Sequence, residues 1–193
     1  MMAFADHLKK CGVDEDTIAR ITGLNGAGEP REGTQEYVDY MARALIKCDE
    51  MLDHDLLCSA MLDRACCKSG FRLNNAKQMA KEHGDKPLAE KLKLLGELKY
   101  MGKPFLNEDG DIETVAVGGY GSTGMDCPCW RLKGLSPTGG PMPLSYCACC
   151  GGHFMFHYQK ALGLKLRLKK VVSSKLNSMG AAPCVFRYQI LGK

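Results

Sequence analysis

Along the first hundred residues the apolar positions recur at helical spacing. Tyr37, Met41, Leu45 and Cys48 stand three and four residues apart, which builds one apolar stripe on a helix, and Thr34 stands where that helix needs its N-cap. Asp14 can cap a shorter helix running toward Ile21, and the stretch from Gly23 to Gly33 is a glycine-rich break. Leu56 to Ala65 continues as another helix ending near Cys66 and Cys67. Asn74 opens a polar helix that stops at Gly84. Pro87 suits the first turn of the next helix, whose inner side is Leu88, Leu92 and Leu95.

The pattern then changes. Asn107 to Asp111 reads as a turn and Ile112 to Val117 as a strand. Residues 118 to 145 are rich in glycine, proline and serine, too long for a simple connection, and long ordered loops are usually functional. Tyr146 to Leu162 reads as a helix closed by Gly163. Leu164, Leu166 and Leu168 alternate with Lys165, Arg167 and Lys169, and Phe186, Tyr188 and Ile190 alternate with Val185, Arg187 and Gln189, giving two half-buried strands. The expected class is α+β, one domain over residues 1–193. Residues 1–105 are mostly helical and 106–193 run strand, loop, helix, strand, strand. The helical N-terminal half packs on a small antiparallel sheet formed by the C-terminal half.

Composition narrows the function. The net charge of +4 is mild, and the densest basic run, Lys165 to Lys170, alternates with leucines as one wet strand face does. No nucleic-acid partner is expected. Nor is a membrane, since no stretch approaches the roughly 18 apolar residues a span requires. The opening Met-Met-Ala-Phe-Ala-Asp lacks the apolar core of a signal peptide, so the expected location is the cytoplasm. There, 11 cysteines, an odd number, read as free thiols and metal ligands, not disulfides.

Seven of those cysteines fall in three tight groups: Cys66-Cys67, Cys127-x-Cys129 and Cys147-x-Cys149-Cys150, the last running into Gly151-Gly152-His153 and His157. On a helix Cys150, His153 and His157 share one face, while Cys147, Phe154 and Tyr158 occupy the neighbouring face and look like core. The paired glycines leave room for a backbone, a loop or a ligand to approach. Thiolate and neutral imidazole are the donors zinc prefers. Zinc held among Cys127, Cys129, Cys147, Cys149, Cys150 and His153 is therefore the expected cofactor, although Cys-x-Cys is shorter than the usual zinc spacing.

Two other readings stand beside it. Cys150 near a helix start, with His153 as base, would make a reactive thiol without metal. Cysteine is also a small hydrophobe that packs well in cores, and that reading covers Cys11, Cys48, Cys58 and Cys184. His7, His54 and His83 stand alone and read as surface residues. Asp53-His54-Asp55 reads as an exposed helix break. Gly118 to Gly124 follows a strand but lacks the Gly-Lys-Ser/Thr ending of a nucleotide loop, so a surface loop is expected.

The C-terminal fifty residues carry a resemblance. Ala161-Leu162-Gly163, the strand from Leu164 to Val172, and Cys184-Val185-Phe186 to Ile190 look like the end of the vinyl-reductase-type small-molecule-binding domain. The same ending is similar to that of the L-2-amino-thiazoline-4-carboxylic acid hydrolase-like proteins. The Cys-x-Cys-Cys-x-x-His pattern resembles an uncharacterised bacterial family close to those two. The resemblance implies helices over an antiparallel sheet with a ligand pocket between them. It implies small-molecule binding more than any one reaction. The expected function is thus a small-molecule-binding or sensing domain with a cysteine- and histidine-rich pocket, and a homodimer is compatible with it. The alternatives are a hydrolase of a small amide or heterocycle, using Cys150 or a zinc-bound water, and a structural protein with inert core thiols.

Overall fold

The computed structural model describes residues 2–24, 26–65, 68–116, 127 and 129–192. Six helices come first: α1 Phe4–Lys10, α2 Glu15–Thr22, α3 Gln35–Met51, α4 His54–Asp63, α5 Gly70–His83 and α6 Leu88–Glu97. Strands β1 Lys103–Leu106 and β2 Ile112–Ala116 follow. Then come a 3-10 turn at Leu144–Cys147, helix α7 Ala148–Leu162, and strands β3 Lys165–Ser173 and β4 Cys184–Gly192. The α+β class is as the sequence predicts, with most of the helix in the N-terminal half and a four-stranded sheet in the C-terminal half.

The sheet is antiparallel throughout, in the order β1-β2-β4-β3. Ile112 pairs with Tyr188 and Thr114 with Phe186, and all four side chains are buried on one face. That face receives α7. Phe154 lies 5.8 Å from the ring of Phe186, Tyr158 lies 5.9 Å from that of Tyr188, and the Tyr188 hydroxyl donates to the Gly151 carbonyl at 2.9 Å. On its other side α7 packs against α4 and α5, which places it between those helices and the sheet, while α6 packs directly on β1.

The glycine pair explains how α7 fits there. A Cβ on Gly151 would stand 2.9 Å from Leu168 Cδ2 and 3.2 Å from Phe186 Cδ1. One on Gly152 would stand 2.5 Å from Leu62 Cδ2 and 3.2 Å from the Leu62 Cα. The neighbours admitted by the missing side chains are the sheet and the backbone of α4, which fill the space the sequence left open for a ligand or a loop.

Several boundaries move. α1 and β1 are additional to the expected elements. α5 starts at Gly70, four residues ahead of Asn74, and α7 proper starts at Ala148, after the 3-10 turn. The exposed break expected at Asp53 falls between α3 and α4, where the Asp53 carboxylate accepts from Asp55 N at 2.8 Å and caps α4. His7 is not the surface residue expected. It is 8% exposed, and its Nδ1 lies 2.7 Å from Asp63 Oδ2, because α1 folds back onto the end of α4. Among the described residues no helix is long and apolar enough to cross a membrane.

Candidate functional site

The first turn of α7 carries Cys149 and Cys150, with Cys147 just before it. The segment at Cys127 and Cys129 and the start of β4 at Cys184 come to the same place. Cys127 feels the charge of Cys129, Cys184 and Cys149, and Cys147 that of Cys184, Cys149 and Cys127. All six are free thiols. Cys129 Sγ lies 3.4 Å from the Tyr146 hydroxyl, and Cys184 Sγ accepts from Lys175 N at 3.5 Å. Three segments distant in sequence thus deliver six thiols to one end of the core.

These thiols are not equivalent. Burial pushes Cys127 up to about 12 and raises Cys129, Cys147 and Cys184 as well. Cys150 is raised because its thiol donates to Cys149, with burial adding to the effect. Cys149 alone among the six goes the other way. The hydrogen bond from Cys150 holds it below the ordinary thiol range against the cost of burial, and the guanidiniums of Arg64 and Arg131 help. Its place in the first turn of a helix acts in the same direction, because unsatisfied N–H groups there favour an anion.

Both arginines are buried, at 4% and 7% exposure. Glu32 is the carboxylate between them. It forms an ion pair with Arg131 and lies 3.9 Å from Arg64. Arg64 Nη2 donates to the Tyr37 hydroxyl at 2.7 Å and its guanidinium covers the ring of Phe4 at 5.1 Å, while Arg131 Nη2 donates to the Arg64 carbonyl at 3.2 Å. Buried charges persist only when paired and hydrogen-bonded, and this network meets that condition.

His153 and His157 are both buried, their rings 5.1 Å apart at 74°. His153 is met from α5 by Arg72, whose Nη1 stands 3.5 Å from His153 Nδ1. The structure therefore places the predicted site residues in two groups. Cys127, Cys129, Cys147, Cys149 and Cys150 gather at one end of the core, where Cys149 feels the guanidiniums of Arg64 and Arg131, whereas His153 meets Arg72. Cys66, Cys67 and the Gly118–Gly124 segment lie outside the described residues. Among the described residues no three His, Cys, Asp or Glu side chains are placed to share a metal ion. A cleft of about 270 Å³ lies between α1, α2 and the following loop, lined by Lys9, Glu15, Ile18 and Leu24 among others, away from the thiols.

Of the four cysteines expected in the core, Cys11 and Cys184 are only half-buried against it, and Cys184 joins the thiol group. Cys48 and Cys58 are buried, and burial pushes their thiols up to about 12 and about 11. Arg64, Arg131 and Arg72 carried no local signal, since a lone arginine in a helical sequence reads as a surface charge. No protein-family model, curated protein or solved structure matches the chain.

Proposed function

We propose that this chain is a small-molecule-binding or sensing domain that meets its ligand at the thiols between the first turn of α7 and the 127–129 segment, with Cys149 as the group that engages it. The observation that carries this reading is the gathering of six free thiols from three separate segments, one of which, Cys149, feels the guanidiniums of two buried arginines. Thiols that served packing alone would have no need of cations, and a thiol beside cations at a helix start is the usual setting of a reactive cysteine. The likeness of the C-terminal fifty residues to small-molecule-binding domains supports the same class. Binding is favoured over hydrolysis because a cysteine nucleophile needs a base within hydrogen-bond reach, and His153 is engaged by a donor from α5.

The test is competitive labelling. The folded chain is treated with a limiting amount of iodoacetamide at neutral pH and each cysteine is followed by peptide mass spectrometry. Cys149 should label ahead of Cys48, Cys58 and Cys127, and Cys149→Ser should remove the fast component. Labelling of Cys149 no faster than of Cys48 would defeat the reading. Elemental analysis of protein purified without chelator separates the two kinds of ligand. One zinc per chain, with labelling released by a chelator, makes the ligand a metal; zinc-free protein with fast labelling makes it an organic molecule.

A further inference from the structure

Arg72 is held in place from two sides. Its guanidinium lies 5.4 Å over the ring of Tyr100, a residue with φ of 67°, in the left-handed region that non-glycine residues rarely occupy. Its Nη1 points at Nδ1 of His153, 3.5 Å away. A guanidinium has five N–H donors and no acceptor, and it does not deprotonate in proteins. The nitrogen facing it must therefore offer a lone pair. In a neutral imidazole one nitrogen accepts and the other carries the proton, so acceptance at Nδ1 places the proton on Nε2.

We infer that Arg72 fixes His153 as the Nε2–H tautomer, so that this histidine serves its surroundings as a hydrogen-bond donor and neither as a metal ligand nor as a base. Metal ligation through Nε2 would require the proton to move to Nδ1, where it would meet the Arg72 N–H head-on. Ligation through Nδ1 would require Arg72 to leave. Whatever lies against Nε2, protein or ligand, is an acceptor such as a carbonyl or carboxylate oxygen. Arg72 is thus a positioning residue acting through His153, and the inference stands whatever the thiols bind.

The tautomer can be read directly in full-length protein labelled with nitrogen-15, from the two-bond correlations between ring nitrogens and ring carbon-bound protons, with His153→Gln assigning the resonances. The expected pattern is an unprotonated Nδ1 and a protonated Nε2 at pH 8. Arg72→Met should mix or invert that pattern at His153 while leaving the His54 pattern unchanged. Added zinc should not shift the Nε2 resonance of wild-type protein. A protonated Nδ1 in the wild type would overturn the inference, and so would a zinc-dependent shift at Nε2 or an Arg72→Met spectrum identical to the wild type. The wild-type spectrum decides even if the variant does not fold.

Discussion

Gly152 rests directly on Leu62: the position its missing Cβ would take is 2.5 Å from Leu62 Cδ2 and 3.2 Å from Leu62 Cα. Alanine would gain helix propensity worth about 1 kcal/mol, yet overpacking against a neighbouring backbone costs typically about 1–3 kcal/mol. A net loss of up to about 2 kcal/mol is expected for Gly152→Ala. Gly151→Ala should cost less, because its nearest neighbours are side-chain atoms of Leu168 and Phe186 and not a backbone atom. Denaturant midpoints of the two variants check the order; a larger loss at Gly151 would contradict it.

Tyr158 ties three elements together. Its hydroxyl is 2.7 Å from Thr114 Oγ1 in β2 and donates to the Met101 carbonyl, all of them buried. Tyr158→Phe keeps the ring packing and leaves that carbonyl without its donor. The expected loss is about 1–3 kcal/mol, the cost of a buried unsatisfied group, measured by thermal or chemical unfolding.

Asp63 accepts from His7 and Lys10, and the hydrogen bond to Lys10 is the larger cause of a carboxyl held below its usual range. A depressed folded value means that the stabilisation is present above the unfolded value of about 3.9 and is lost as pH falls below it toward the folded value. Asp63→Asn should cost about 1 kcal/mol at neutral pH, given the partial solvent screening. The difference from wild type should narrow below about pH 4. Unfolding curves at pH 7 and pH 3 measure both.

The basic strand face is not uniform. Lys165 and Arg167 are exposed, but Lys169 Nζ lies 2.7 Å from Asp111, whose side chain is only 8% exposed. Lys165→Gln should shift stability by under about 0.5 kcal/mol, whereas Lys169→Gln removes the partner of a nearly buried carboxylate and should cost about 1–2 kcal/mol. Equal effects of the two substitutions would refute this.

What the sequence made legible follows from where the information resides. α3 is capped by its own Thr34 and buries Tyr37, Met41, Leu45 and Cys48, so its signal is local. β3 buries Leu166 and Leu168 in alternation, and β4 buries Phe186 and Tyr188 with Val185 beside them. α1 is different: its first amides, at Phe4 and Ala5, donate to Glu29 at 2.8 and 2.9 Å, a cap from 24 and 25 residues away that no local pattern reveals. β1 is four residues long with Pro104 inside, acceptable only on an edge strand. At the site, the clustering of cysteines was visible along the chain. The distinction of Cys149 from Cys150 was not, because it depends first on the hydrogen bond between the two thiols and then on Arg64 and Arg131, brought in by tertiary folding.

The connection between α2 and α3 looks like the place most forgiving of a change in length, being exposed in part and rich in glycine. It is anchored at both ends. Glu29 holds the start of α1 and accepts from the Tyr40 hydroxyl at 3.0 Å, while Glu32 pairs with Arg131 and Gly33 N donates to the Arg131 carbonyl at 2.7 Å. One inserted or deleted residue between Glu29 and Glu32 would pull on the N-terminal helix and on the strand of chain behind Cys129 at once. Chains that share this fold and this site should therefore vary in length at the exposed 108–110 turn well before they vary there.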